Sequence, residues 1–150
     1  IFYSRGLHSE ITFIGSGKLG YPDTALAAFA LGCDMVNVGR EAMMAIGCIQ
    51  AQRCHTGHCP TGVATQSAWL SRGLNPSDKS VRVMNYIYAL QDEILRLCHS
   101  VGVTHPALIP ESVVEIVNQE GTAVSILNYY GLLSIDQRLQ ESDFHYLESI

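Results

Sequence analysis

Apolar positions along the chain come first in short solid blocks and later in a helical stripe. Ile11-Thr12-Phe13-Ile14 is apolar and β-branched and gives way to Gly15-Ser16-Gly17, the pattern of a buried strand entering a tight loop. Pro22 and Asp23 suit the first turn of a helix. Ala25 to Leu31 is then apolar on every side, and Gly32 closes it. Met35-Val36-Asn37-Val38 predicts a second buried strand, Gly39 a second loop, and Glu41 to about Ala51 a second helix. Two successive strand-loop-helix units with helices this apolar, covered on both sides, predict an α/β fold with a parallel sheet.

Periodicity vanishes from Arg53 to Pro76, where Cys, His, Gly, Pro and Thr predominate. A loop of that composition takes its order from something other than a hydrophobic stripe, and a bound metal is the natural source. After the cap signal Asn75-Pro76-Ser77-Asp78, a long amphipathic helix over 78–101 is written by Val81, Met84, Ile87, Tyr88, Ile94, Leu97, Cys98 and Val101. Farther on, Val113 to Val117, the turn-like Asn118-Gln119-Glu120-Gly121 and Ala123 to Leu127 predict a small hairpin with a four-residue connection.

Composition narrows the function classes. With 47% hydrophobic and 15% charged residues in 150, the chain can bury a real core. A net charge of -5, with nine Lys and Arg scattered thinly, gives no basic stripe for a nucleic-acid backbone. Asp23, Asp34, Arg40 and Glu41 interrupt the richest apolar stretch, so no run reaches the roughly 20 residues of a membrane helix. The chain starts at Ile1 and Ile1-Phe2-Tyr3 lacks the layout of a signal peptide; it reads as a fragment of something longer. Three of the five cysteines fall within twelve positions, which suggests a metal or cluster site in a reducing compartment, hence the cytoplasm. Cys33 and Cys98 are expected to be buried small hydrophobes.

Two features could carry chemistry. Cys48, Cys54 and Cys59 stand in a C-x5-C-x4-C run with Pro60 after the last, a compact set of thiolates suited to an iron-sulfur cluster. Cys54, His55, His58 and Cys59 could instead supply four zinc ligands, and three buried free thiols are the third reading. The second feature is the pair of loops Gly15-Ser-Gly-Lys18 and Val38-Gly-Arg40, each between a strand and a helix. Main-chain N-H groups at helix N-termini attract phosphate, and Gly lets the backbone approach it. The plain alternative is two ordinary turns with Lys18 and Arg40 as solvated charges.

The run Ala-Leu-Gly-Cys-Asp-Met-Val-Asn-Val-Gly-Arg-Glu-Ala-Met-Met-Ala-Ile-Gly-Cys48, followed by Cys54-His-Thr-Gly-His-Cys59-Pro-Thr-Gly-Val-Ala-Thr-Gln66, resembles the end of the FMN-binding domain of glutamate synthases and their single-domain relatives. The likeness covers about Ile11 to Val103. It implies a (β/α)8 TIM barrel with FMN at its C-terminal mouth and a 3Fe-4S cluster held by Cys48, Cys54 and Cys59. The two units here would be the last two of the barrel, where barrel enzymes often bind phosphate. By position, the flavin phosphate would lie against Ser16, Gly17, Lys18, Gly39 and Arg40.

Residues 1–103 are then the C-terminal part of the barrel, with cysteine loop 48–66 and helix 78–101, and 104–150 an extension. About 250 residues are typical of a whole barrel, so its remainder, upstream of Ile1, is the first expected partner. A small-molecule substrate and an electron-donor protein or subunit are the others. The parent protein is expected to reduce 2-iminoglutarate, formed from 2-oxoglutarate and ammonia, or a related imine to an amino acid. No catalytic residue is assigned within this chain, which is expected to be inactive alone. A non-catalytic zinc or cluster module, with the long helix as a docking surface, is the rival reading. Two stretches depart from the family pattern: Ser16-Gly17-Lys18-Leu19 stands where the family has Asp-Gly-Gly-Leu, and Asn37 where a Gly is common.

Overall fold

The computed structural model describes residues 7–131. Strand β1 (Ile14–Ser16) pairs in parallel with β2 (Met35–Asn37), Ile14 opposite Met35 and Ser16 opposite Asn37. Helix α1 (Pro22–Ala30) connects them. β1 begins three residues later than the apolar run suggests because its partner begins at Met35. Upstream, Phe13 is occupied by the turn before β2, its N-H donating to Asp34 Oδ2 at 2.7 Å and its carbonyl accepting from Asp34 and Met35 N-H.

The strands were expected to be buried on both faces, and one face is open. Gly15 and Val36 are half-buried, with Val36 packed on the core that α1 helps form, whereas Ile14 and Met35 on the other face are 61% and 53% exposed. A lone pair of strands with helices on one side leaves such a face without cover.

Helix α2 spans Arg40–Ala45 rather than reaching Ala51, because Gly47 at φ 105° turns the chain out of the helix. Helix α3 (Pro76–Ser100) is one continuous rod of 25 residues. Asn75 caps it, its side chain accepting from Ser77 N-H at 3.1 Å, and Pro76 occupies the first turn where no N-H is needed.

The core is a cluster of Ala25, Leu90, Ile94, Cys98 and Ile109, so α1, α3 and the 3-10 turn at Pro106–Leu108 with its following residue share one interior. The buried face of α3 therefore differs from the expected stripe. Ile94 and Cys98 are buried and Ile87 and Leu97 half-buried, but Val81, Met84, Tyr88 and Val101 are exposed. Val81, Met84 and Tyr88 sit roughly 110° around the helix from the line Leu90-Ile94-Cys98, too far to reach α1.

Beyond α3, β3 (Glu115–Val117) and β4 (Ala123–Ser125) form the expected antiparallel hairpin, with shorter strands and a five-residue connection. Asn118 extends the turn: its Oδ1 accepts from Glu120 and Thr122 N-H, and its own N-H donates to Thr122 O. Residues expected to prolong the last strand instead start helix α4 (Ile126–Tyr130), with Ser125 Oγ accepting from Asn128 N-H. Among the described residues no helix is long and apolar enough to cross a membrane.

Candidate functional site

The parallel strands end side by side, so their following loops meet. Ser16, Gly17 and Lys18 at the end of β1, and Asn37, Gly39, Arg40 and Glu41 at the end of β2, line one open cleft of about 350 Å³. All five residues expected to face a phosphate lie in it. Gly17 adopts φ 117°, a conformation that side chains disfavour. A Cβ added at Gly17 or Gly39 would meet nothing within 4 Å, so the main chain at both positions fronts open space that a ligand can enter.

The cleft differs from expectation in its walls. α1 starts at Pro22, as expected, but its N-terminus was to face the cleft and none of its residues lines it. The amides available from the first unit are those of the loop itself. That loop is held by Thr24, whose hydroxyl lies 3.0 Å from the Lys18 carbonyl oxygen and 3.1 Å from that of Tyr21. Lys18 itself is in the left-handed region at φ 58°, which costs a residue with a Cβ about 1–2 kcal/mol. Glycine in that position would relieve the strain.

The cysteine loop closes on a second, much smaller cavity. Cys48, Cys54 and Cys59 line it together with Gln52, Arg53 and Thr61 around a volume of about 10 Å³, close to that of one water molecule. Cys59 is buried and Cys54 exposed, while Cys33 is half-buried and Cys98 fully buried elsewhere. Gln50 and Gln52, between the first two cysteines, are left-handed at φ 54° and 55°. With Lys18 they are the only described residues other than glycine with positive φ, so backbone strain is confined to the two candidate sites. Among the described residues no three His, Cys, Asp or Glu side chains are grouped to hold a metal ion. The donor set fits a soft metal centre in type, and the three thiols, which line one cavity, would have to draw closer together to ligate one.

Cys59 carries a specific electrostatic signature. Its Sγ is 3.4 Å from Thr61 Oγ1, and this contact, followed by main-chain donors at Ala64, Thr61 and Val63, lowers the thiol from 9.0 to about 7. The folded chain therefore releases this proton before the unfolded chain does. The resulting stability is fully present above pH 9 and is lost as pH falls through about 7. Urea midpoints of metal-free protein should rise between pH 7 and 9, and Cys59→Ala should flatten that rise; an equal slope in the variant would assign it to another group.

A family model for the conserved region in glutamate synthase matches residues 1–104. The chain belongs to the glutamate synthase family. It is 37% identical over 123 residues to the glutamate synthase large subunit-like protein YerD of Bacillus subtilis, covering 82% of this chain and 23% of that protein. It is 41% identical over 99 residues to the archaeal glutamate synthase (NADPH) of Methanocaldococcus jannaschii, covering 66% of this chain and 19% of that one. Ferredoxin-dependent glutamate synthase 2 of Synechocystis is 38% identical over 90 residues, 59% of this chain and 5% of its own length. The chain thus spans less than a quarter of these relatives.

Pattern reading missed two residues of this glutamate synthase family chain, Glu41 in the cleft wall and Tyr86 behind it. Glu41 is only 7% exposed although it is a carboxylate in the first turn of α2. Tyr86 of α3 donates its hydroxyl to the Gly20 carbonyl at 2.7 Å, across 66 residues of sequence. Its signal was available: Tyr86 sits four residues before Leu90 on the covered side of α3, where a phenol needs a partner. Burial first, then the Glu41 carboxylate and Tyr21, push the Tyr86 hydroxyl above its ordinary pKa, so it stays protonated and remains a donor.

Proposed function

We propose that this chain supplies the flavin-phosphate end and the cluster loop of an FMN- and 3Fe-4S-dependent oxidoreductase of glutamate synthase type, whose barrel is completed by the rest of the parent protein. The observation that carries the reading is that both sites lie at the two ends of α2. Arg40 and Glu41 open that helix in the cleft, and Cys48 follows its C-terminal turn in the cysteine cavity. Six residues of helix span about 9 Å, a short fixed spacer between a flavin and an electron-relaying centre.

The open face bearing Ile14 and Met35 supports the completed barrel, since the interior of a barrel is where side chains of that face would be packed. When bound, the flavin would supply hydride chemistry and the cluster single electrons. The residues of this chain have simpler tasks. Main chain at Gly17 and Gly39 admits a phosphate, and Lys18 and Arg40 offset its charge. Cys48, Cys54 and Cys59 offer three thiolates, which a cluster can spread over different irons, whereas a single zinc would need all its sulfurs within about 2.3 Å. The substrate, 2-iminoglutarate or a related imine, would be held by units outside this chain.

The test is selectivity for the phosphate. Flavin-free full-length protein should bind FMN about tenfold or more tighter than riboflavin, which has the same ring and no phosphate, because charge-assisted hydrogen bonds are worth about 1.5–3 kcal/mol. Equal affinities would remove the cleft from the flavin site.

A further inference from the structure

Gly20 is the point where three elements meet around the cleft. It follows the Ser16-Gly17-Lys18 loop and is itself buried. A Cβ built on it would lie 2.5 Å from Glu41 Cγ, 2.6 Å from Glu41 Cβ and 2.6 Å from the Tyr86 hydroxyl oxygen. Only a residue without a side chain lets the main chain pass between the first turn of α2 and the ring of Tyr86. The Tyr86 hydroxyl then fixes it there through the 2.7 Å bond to the Gly20 carbonyl.

We infer that Tyr86 is a positioning residue for the phosphate cleft: the Tyr86-Gly20-Glu41 contact locks the loop after β1 to the start of α2 and so sets the separation of Gly17 from Gly39. The inference rests on the reading of the cleft as a phosphate site. Its physical basis is that the two walls of the cleft come from different βα units. Three-residue strands pair them below, and above the strands this contact is what ties loop to helix. Tyr86 reaches the cleft loop from α3, whose ring and backbone are held by the core through Leu90 and Ile94. The wall position is therefore referred to the hydrophobic core. Preorganised donors bind an anion better than donors that must be gathered.

The experiment uses flavin-free full-length protein and measures affinity for FMN and for riboflavin in the wild type, in Tyr86→Phe and in Leu90→Val. Tyr86→Phe removes one oxygen and leaves the ring that packs on the core. It should lower FMN affinity about three- to tenfold, the range set by one hydrogen bond, and leave riboflavin affinity unchanged. The ³¹P resonance of bound FMN should shift in the same variant. Leu90→Val lowers melting temperature through the core and should keep the wild-type FMN-to-riboflavin ratio. An unchanged ratio in Tyr86→Phe, or an equal loss for both flavins, would overturn the positioning role while leaving the phosphate reading intact. A wild type that binds both flavins equally would overturn the phosphate reading and the inference with it.

Discussion

Ile94→Ala should cost about 2–5 kcal/mol of stability, while Met84→Ala on the same helix should cost less than about 1 kcal/mol. Ile94 is 8% exposed at the centre of the cluster formed with Ala25, Leu90, Cys98 and Ile109, and truncating it leaves a cavity that the ends of three segments must collapse to fill. Met84 is 47% exposed and already surrenders much of its surface to water. Chemical denaturation of the two variants checks both values. A large loss at Met84 would mean that another part of the protein covers the outer side of α3, and a small loss at Ile94 would mean that the α1-α3 packing is wrong.

The second large effect concerns the metal. On the proposed reading, in which Cys48, Cys54 and Cys59 are the ligands of an iron-sulfur centre, Cys54→Ser in the full-length protein should reduce bound iron to background and abolish the broad visible absorbance of that centre. Cys33→Ser should leave iron content unchanged, since Cys33 packs beside Gly15 with its Sγ 3.0 Å from the position of a Gly15 Cβ, away from the cysteine cavity. Iron analysis after anaerobic purification measures both. Zinc in place of iron, lost on the same substitution, would replace the cluster with a structural ion.

What the sequence made legible follows from the range of the forces involved. α1, α3, the parallel order of β1 and β2 and the hairpin were readable because each is written by local caps and periodicity: Pro22 and Gly32 bracket α1, and Asn75 and Pro76 open α3. The end of α2 was readable too, at Gly47, but the apolar residues on both sides concealed it. The face of α3 was misread because Val81, Met84 and Tyr88 are as apolar as the true core line, and only the position of α1 decides between the two stripes. Five of the seven residues that line the cleft could be named from the two Gly loops and the family resemblance. Glu41 could not, and Tyr86 could be read only as a phenol in need of a partner, since the roles of both arise at Gly20 from contacts between segments far apart in sequence.

The packing of α2 against α3 also closes the long segment that carries the cysteines. About thirty residues lie between Ala45 and Pro76, and drawing the ends of such a segment together carries an entropic cost of about 3 kcal/mol. The two helices meet that cost through their own contact. The segment that carries Cys48, Cys54 and Cys59 is thus tied near both ends by the scaffold, and a metal centre bound there, as proposed, would be an addition to a folded scaffold rather than the event that creates it.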